Sequence, residues 1–352
     1  MRYLYPLLLF LPVAVALEWL HAPAAWIFLT AGLAIVPLAA IMGRATEELA
    51  AHTGPAVGGF LNATMGNAAE LIITIFALRE GLVELVKASL TGSILGNLLL
   101  ILGLSFLVGG LRFPTQSFNS RAAGMSAAMM ILAVIGLVLP ALYAATHPEG
   151  GAGKTLSLSI AVAAILIAVY AASLLFTLHT HRRLLGPAGE VAGAAHGDEP
   201  GWSVRRAATL LVLATAGVAL MSELLVGATE EAIAALGLSE LFVGVIVIPL
   251  IGNAAEHGAA ILMAAKNKMD LALGIAIGSS TQVALFVAPV LIFVALAFGQ
   301  PMDFVFTDLE VLAVALATAV VTVISLDGES HWFEGLQLLA VYLILGVTFL
   351  FY

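Results

Sequence analysis

The amino-acid sequence predicts an all-α integral membrane protein with about eleven transmembrane helices. Of its 352 residues, 62% are hydrophobic and only 10% are charged, and the mean hydropathy is +1.10. Soluble domains carry roughly 25% charged residues. The apolar runs are too many and too evenly spaced for a signal peptide, and they are continuous rather than alternating, which excludes a β-barrel.

About 20 apolar residues cross a bilayer as a helix, so we interpret each long apolar run as one span. The predicted spans cover residues 4–20, 24–43, 57–79, 83–109, 121–146, 155–179, 207–235, 239–266, 270–299, 304–326 and 332–352. Residues 181–206 lack hydrophobic periodicity and are rich in Gly, Pro and Ala, which predicts a cytoplasmic linker. Three histidines lie at or within it, His179, His181 and His196, and they are interpreted as solvated side chains rather than a metal-binding loop.

The positions of Lys and Arg predict a cytoplasmic N-terminus and an external C-terminus. Of the 13 basic residues, only Arg79, Lys87 and Lys154 then fall outside. The sequence contains no cysteine, which excludes disulfides and thiolate metal ligands. The net charge of −9 argues against a nucleic-acid partner. The expected surroundings are a lipid bilayer, and no oligomeric state is predicted.

The sequence GNAAE occurs twice, at residues 66–70 and 252–256, a separation of 186 residues. Two further pairs of similar segments keep the same order: ATEELA (45–50) with ATEEAI (228–233), and TGSILGN (91–97) with IGSSTQ (277–282). The two GNAAE copies lie on spans three and eight, an odd number of spans apart, so they cross the membrane in opposite senses.

These matches predict two five-helix repeats of inverted topology. The expected organisation is a leading helix (1–22), a first repeat (23–180), the linker (181–206) and a second repeat (207–352). Inverted repeats are typical of secondary transporters, whose sites lie near the bilayer midplane where the halves meet.

Each GNAAE copy places a carboxylate, Glu70 or Glu256, deep in an apolar span. An ionisable residue at this depth costs at least ~2.5–3.5 kcal/mol on insertion scales, so it indicates function. Asn67 and Asn253 precede these glutamates by three residues, and such a pair shares one face of a helix. Two carboxylates and two amide oxygens suit a hard divalent cation, above all Ca²⁺.

Gly66 and Gly252 predict a kink in each motif helix. A kink would free backbone carbonyls, which membrane proteins tolerate only where they line a cavity. Hydroxyl and amide side chains on spans four and nine are expected to complete the coordination shell, to hydrogen-bond the carboxylates, or to pack helices together. They are Thr91, Ser93, Asn97, Ser279, Ser280, Thr281 and Gln282.

Other acidic residues lie nearer the ends of spans. Those at the ends of spans two and seven are expected either to attract cations towards the two mouths or to be solvated helix-end charges: Glu47, Glu48, Glu230 and Glu231. Glu223 lies deeper in span seven and is a further candidate for access. Asp303, Asp308 and Glu310 are expected to line an outer loop.

Proton coupling follows from the carboxylates themselves. Ca²⁺ ligation needs the deprotonated form, so protons and Ca²⁺ compete for the same oxygens. Two bare carboxylates facing each other in a low-dielectric site are costly to occlude. The empty, charged site therefore does not reorient easily, and this predicts exchange of one ion for the other.

Four segments of the sequence resemble the cation/proton exchangers, the Ca²⁺/H⁺ antiporters, which share a superfamily with the Na⁺/Ca²⁺ exchangers. These segments are NATMGNAAELI (62–72), GSILGNLLLILG (92–103), VIPLIGNAAEH (247–257) and GSSTQVALFVAP (278–289). The resemblance covers nearly the whole chain. It implies an eleven-span fold with a leading helix and two inverted five-helix repeats.

The resemblance also implies Ca²⁺ transport driven by a proton gradient. It makes Glu70 and Glu256 shared Ca²⁺ and H⁺ sites, with Asn67 and Asn253 as the motif asparagines. No cofactor is implied, because Ca²⁺ is the transported substrate. The chain has no long hydrophilic N-terminal tail, so a minimal prokaryotic form in the cell membrane is expected.

Three other classes of function are compared with this interpretation. Na⁺-coupled Ca²⁺ exchange is the nearest alternative, and a Ca²⁺-permeable channel is the next. Channels generally repeat around an axis normal to the membrane, whereas the inverted repeat favours alternating access. An enzyme is disfavoured because the sequence has neither an HExxH metal helix nor a phosphate-binding loop.

Overall fold

The structure, a computed structural model, describes residues 4–53, 55–147, 151–180 and 201–352. Nearly all of these residues are helical, which confirms the predicted all-α class. The helices are α1 (Phe10–Trp19), α2 (Ala24–Thr53), α3 (Pro55–Met65), α4 (Ala68–Arg79), α5 (Val83–Gly110), α6 (Ser120–Thr146), α7 (Gly151–Thr180), α8 (Val204–Gly227), α9 (Thr229–Leu236), α10 (Glu240–Gly252), α11 (Ala254–Ala265), α12 (Met269–Ala297), α13 (Asp308–Ile324) and α14 (Trp332–Phe351). A 3-10 helix (Tyr5–Leu9) precedes α1.

By length and apolar composition, seven helices in the described part of the chain can cross a membrane: α2, α5, α6, α7, α8, α12 and α14. Helices α9 and α10 are bent by 114° at a short break and together make an eighth candidate span. The predicted spans at 4–20, 57–79 and 304–326 correspond to shorter or broken helices. The count of eleven spans stays a prediction.

Some helix boundaries differ from the predicted spans. Helix α2 continues to Thr53, ten residues beyond the predicted end at residue 43. Helix α8 begins at Val204 because the side chain of Ser203 accepts a hydrogen bond from the amide of Arg206 and caps the helix. It ends at Gly227, so the predicted span 207–235 is two helices. Residues 181–200 of the predicted linker, with His181 and His196, lie outside the described residues.

The chain divides into two compact units, and each draws on both predicted repeats. The first unit contains Met1–Ser89, Ala192–Glu256 and Leu350–Tyr352. Within it, α8 packs along α2 and also contacts α4, while α1 packs on α2. The second unit contains Leu90–Val191 and His257–Phe349. Within it, α6 packs against α12 and α13, and α7 packs against α12.

Several local features recur at the spacing of the two GNAAE sequences. Helices α4 and α11 have 12 residues each, and they begin 186 residues apart, at Ala68 and Ala254. Helices α5 and α12 begin 186 residues apart as well, at Val83 and Met269. Each contains one wider π-helical turn, Gly96–Ile101 in α5 and Val283–Val287 in α12. The predicted repeat requires this correspondence.

Three loops of the second unit meet at one end of it. The short strands β1 (Gln116–Ser117) and β2 (Glu329–Ser330) pair antiparallel. The side-chain amide of Gln116 donates to the carbonyl of Ala264 at 3.0 Å and to Asn267 Oδ1 at 2.8 Å. These loops follow predicted spans four, eight and ten, all of which end on the cytoplasmic side in the predicted topology. Their meeting is therefore compatible with that topology.

Candidate functional site

Both GNAAE sequences interrupt a helix at the Gly–Asn pair. Helix α3 ends at Met65 and α4 begins at Ala68, so Gly66 and Asn67 lie in the break. Helix α10 ends at Gly252 and α11 begins at Ala254, with Asn253 between them. The two asparagines share one backbone conformation, with φ and ψ of −95° and 23° at Asn67 and −102° and 6° at Asn253. The same local sequence therefore folds in the same way twice.

The breaks correct one detail of the sequence prediction. Asn67 and Asn253 do not share a continuous helical face with Glu70 and Glu256, because each asparagine precedes the first helical residue. Each glutamate instead occupies the first turn of a new helix. Asparagine suits this position because its short polar side chain competes with regular helical bonding.

The motif side chains are largely withdrawn from the surface. Asn67, Glu70 and Asn253 are each 2% exposed. Glu256 is half-buried, and its Oε2 atom is inside. Burying a carboxylate is costly unless a cation, a proton or hydrogen-bond donors compensate the charge. A cation, a proton or hydrogen-bond donors must therefore compensate these carboxylates.

The second motif lies close to the first. A Cβ atom placed on Gly252 would lie 3.8 Å from the Cα and Cβ of Glu70 and 3.7 Å from Ile73 Cδ1. Gly252 at the end of α10 is thus separated from the first turn of α4 by about the size of one methyl group. Within the first compact unit, the structure brings together the two motifs that lie far apart in sequence.

The helix ends add their own electrostatics. The first turns of α4 and α11 present backbone amides at the positive end of a helix, which favours carboxylates there. In α3 and α10 the carbonyls of Asn62 and Pro249 accept from the amides of Gly66 and Asn253 at 2.9 Å. The carbonyls that follow them lie at a helix end, where regular partners within the helix run out. Discontinuous membrane helices commonly use such carbonyls to coordinate cations. The breaks therefore combine carboxylate, amide and carbonyl oxygens.

Among residues 4–53, 55–147, 151–180 and 201–352, no group of three or more His, Asp or Glu side chains is placed to hold a metal ion. A cation at the two motifs would therefore draw on two carboxylates together with neutral oxygens. Hard cations such as Ca²⁺ accept such mixed oxygen ligands.

The predicted hydroxyl and amide side chains lie in the second compact unit. Asn97 of α5 donates to Ser279 Oγ of α12 at 3.1 Å, and both residues are buried. Ser93 and Gln282 are buried too. The hydroxyl of Ser280 donates to the carbonyl of Ala276 in its own helix at 3.0 Å. Thr281 likewise donates to its own helix, at Ile277. The structure therefore joins α5 and α12 through Asn97 and Ser279.

Glu310 is a buried carboxylate that the sequence analysis misplaced. It was expected to line an outer loop, but it is 2% exposed. It forms a capping box with Thr307 at the start of α13 and accepts a hydrogen bond from Thr91 at 3.1 Å. The pattern of Thr followed by Glu three residues later, before an apolar run, is the signal that predicts this helix start. Asp308 does remain exposed.

Four of the candidate access residues are exposed: Glu47, Glu223, Glu230 and Glu231. Glu48 is held in a cluster at the end of α2. Its Oε2 accepts a hydrogen bond from the amide of Trp202 at 3.0 Å, and its Oε1 lies 3.7 Å from Arg44 Nε. The Trp202 ring lies under the guanidinium groups of Arg44 and Arg206, at 4.8 and 5.0 Å. An access role for these glutamates stays a prediction.

Replacing Trp202 with Ala is expected to lower stability by about 1 kcal/mol, since two cation–π contacts at a partly exposed site are lost. The measurement is thermal unfolding in detergent, followed as loss of the monodisperse protein. Trp19 of α1 is exposed and provides a matched control, so Trp19→Ala should leave the transition unchanged. Equal stability of both variants would mean that the stacked cluster contributes nothing.

Comparison with known proteins adds independent findings. A sequence model of the family described as "Sodium/calcium exchanger protein" matches residues 23–179 and 206–351. The chain is 48% identical to a Ca²⁺/H⁺ antiporter of Aphanothece halophytica, over 99% of this chain and 96% of that protein. It is 47% identical to the Ca²⁺/H⁺ antiporter ChaA of Bacillus subtilis, over 96% and 95%.

Among solved structures, that of native YfkE superposes with a TM-score of 0.86 and 42% sequence identity. The superposition covers 99% of this chain and 100% of YfkE. Both the sequence match and the structural match therefore extend over nearly the whole chain.

Proposed function

The chain belongs to the sodium/calcium exchanger protein family, and we propose that it is a secondary antiporter that exchanges Ca²⁺ for H⁺ across a membrane. One observation carries this proposal: two GNAAE helix breaks, which lie close together at Gly252 and Glu70, present two glutamates and two asparagines at buried or half-buried positions. The description of two relatives as Ca²⁺/H⁺ antiporters supports it. In this proposal the protein is a transporter rather than an enzyme.

Glu70 and Glu256 are the groups shared by Ca²⁺ and protons in this proposal. Asn67 and Asn253 add amide oxygens, and the carbonyls at Gly66 and Gly252 add further neutral ligands. The polar side chains of α5 and α12 support the site or pack these helices: Ser93, Asn97, Ser279, Ser280 and Gln282. Neutral ligands matter because Ca²⁺ takes six to eight oxygen ligands, and two carboxylates provide at most four oxygens.

Exchange follows from competition at these carboxylates. Ca²⁺ binds the deprotonated pair, and two protons neutralise the same pair when Ca²⁺ has left. Ca²⁺ or two protons neutralise the negative charge of the two glutamates, so the loaded site can be closed off from water. The empty pair keeps its charge, and closing it off is costly. Alternating access then carries Ca²⁺ one way and protons the other, and the empty site stays on one side.

The proposed architecture is a leading helix followed by two inverted five-helix repeats, with about eleven spans. The equal spacing of the helix starts in α4 and α11, and in α5 and α12, supports it. The excess of Lys and Arg on one side supports a cytoplasmic N-terminus and an external C-terminus. Bacterial relatives support a prokaryotic cell membrane as the location.

The decisive experiment uses the purified full chain in liposomes that contain a Ca²⁺-sensitive dye. We expect Ca²⁺ uptake when the lumen is acidic relative to the bath, because outward proton movement drives inward Ca²⁺ movement. Collapsing the pH gradient with a protonophore should abolish uptake, and luminal acidification should be dissipated faster when Ca²⁺ is added. Protein-free liposomes are the control.

Other outcomes would assign a different function. Uptake that follows a Na⁺ gradient and ignores the pH gradient would make the protein a Na⁺/Ca²⁺ exchanger. Uptake that follows the membrane voltage with no counter-movement of H⁺ or Na⁺ would indicate a Ca²⁺-permeable channel. Either result would refute the proposed proton coupling.

A further inference from the structure

We propose that Glu310 is a positioning residue for exchange, which holds Thr91 and thereby sets the position of the α5 segment that carries Ser93 and Asn97. This inference rests on the proposed function. It concerns a carboxylate outside the GNAAE motifs, in the second compact unit, that has no role in the competition between Ca²⁺ and protons described above.

One oxygen of Glu310 is fixed at the start of its own helix. Its Oε2 accepts hydrogen bonds from the amide of Thr307 at 2.9 Å and from the hydroxyl of Thr307 at 2.8 Å. The amide of Glu310 in turn donates to Thr307 Oγ1 at 3.3 Å. This reciprocal pair is a capping box, which satisfies two backbone donors at the start of a helix. The carboxylate therefore has a defined orientation before it contacts any other helix.

The other oxygen reaches a distant part of the chain. Glu310 Oε1 accepts a hydrogen bond from Thr91 Oγ1 at 3.1 Å, across 219 residues of sequence, and both side chains are 2% exposed. A hydrogen bond to a carboxylate is stronger than one between neutral groups, and in a buried setting it is directional. The pair therefore links α13 to α5 at a defined point.

The surroundings of this link are apolar. A small pocket beside it is lined by Thr91, Glu310 and eight apolar side chains that include Ile94, Leu137 and Val314. Apolar side chains supply no directional contact, whereas a buried hydrogen bond has a preferred geometry. The hydrogen bond therefore adds a directional contact between α5 and α13 at Thr91.

The position of Thr91 matters because of the residues that follow it. Ser93 and Asn97 lie within two turns of it on the same helix, and Asn97 donates to Ser279 of α12. A small shift of α5 at Thr91 is transmitted along a rigid helix to these side chains. In the proposed function, Ser93 and Asn97 support the Ca²⁺ site. Moving such supporting side chains weakens metal binding even though every ligand is still present.

The test compares four single variants in the liposome assay, each normalised to the amount of monodisperse protein. Thr91→Val keeps the shape of the side chain and removes the donor, while Thr91→Ser keeps the hydroxyl. Glu310→Ala removes both the capping box with Thr307 and the hydrogen bond from Thr91. Glu310→Gln keeps a capping box and a hydrogen-bonding partner for Thr91. The quantities measured are the half-saturating Ca²⁺ concentration, the maximal rate and the pH dependence of the rate.

We expect Thr91→Val and Glu310→Ala to raise the half-saturating Ca²⁺ concentration by about 3- to 10-fold, the worth of one lost hydrogen bond. The maximal rate should stay within about two-fold of wild type. Thr91→Ser and Glu310→Gln should stay close to wild type in both quantities, and all four variants should keep the wild-type pH profile. A general loss of stability would not produce this pattern, because it lowers the amount of active protein rather than its affinity.

Two results would overturn the positioning role. One is a Thr91→Val variant with wild-type Ca²⁺ dependence. The other is a Glu310→Gln variant as impaired as Glu310→Ala with an altered pH profile, since the charge rather than the link would then matter. If Glu310→Ala does not fold, the comparison of Thr91→Val with Thr91→Ser still tests the positioning role. Absence of exchange by the wild type would refute the proposed function itself, whereas active wild type with unaffected Thr91→Val refutes only the positioning role.

Discussion

Replacing Glu70 with Gln is expected to reduce pH-gradient-driven Ca²⁺ uptake by at least about 30-fold, a loss of roughly 2 kcal/mol or more at a buried charged contact. Gln has nearly the same shape, so the helix start at Ala68 and the close approach of Gly252 should persist. It supplies one neutral oxygen in place of a carboxylate, and it does not release a proton. Both halves of the exchange are therefore lost at once. The measurement is the initial rate of uptake in liposomes.

The effect should be equally large for Glu256→Gln, because the two carboxylates are proposed to hold one ion together. Residues that act as a unit show non-additive effects, so the double variant should be no worse than either single one. Glu18→Gln is the matched control, since Glu18 also lies in an apolar helix but is exposed. If the uptake rate of Glu70→Gln were within two-fold of wild type, Glu70 would not be a group shared by Ca²⁺ and protons.

The features that the sequence predicted correctly are local ones. Long apolar runs require helices, because a backbone in lipid must satisfy its own polar groups. Gly66 and Gly252 predicted a kink in each motif helix, and the structure breaks the helix at 66–67 and at Asn253. The repeated GNAAE sequence also pointed to a close approach of two distant segments, and Gly252 does lie close to Glu70. Each inference required only neighbouring residues or an internal comparison.

The features that were missed depend on contacts between distant residues. Helix α2 continues past residue 43 through Glu48, whose carboxylate meets the amide of Trp202. No pattern near residue 43 encodes a partner 154 residues away. Glu310 was assigned to a loop because acidic residues at the end of a span are usually solvated, whereas here Thr91 and Thr307 satisfy its oxygens. The break between α8 and α9 at Ala228 was also missed, because it lies inside the predicted span 207–235.

Gly335→Ala is expected to destabilise the protein, because α14 meets α5 there through backbone. A Cβ atom on Gly335 would lie 2.6 Å from the carbonyl oxygen of Gly103 and 3.0 Å from the Cα of Leu107. Gly103 in turn faces the carbonyl of Gly335 at 3.1 Å from its own added Cβ. Such glycine contacts let membrane helices approach closely. Backbone atoms cannot change rotamer to relieve a clash, so α5 and α14 must move apart.

Overpacking of this kind costs about 1–3 kcal/mol, and the upper end is expected where backbone is struck. Gly335→Ala should therefore lower the unfolding midpoint in detergent by about 5 °C. Gly124→Ala in α6 is the matched control, because no atom lies within 4 Å of its added Cβ. There the helix propensity of Ala should raise stability slightly. An equal gain of stability in both alanine variants would contradict this prediction. It would mean that α5 and α14 are further apart at Gly103 and Gly335 than the structure shows.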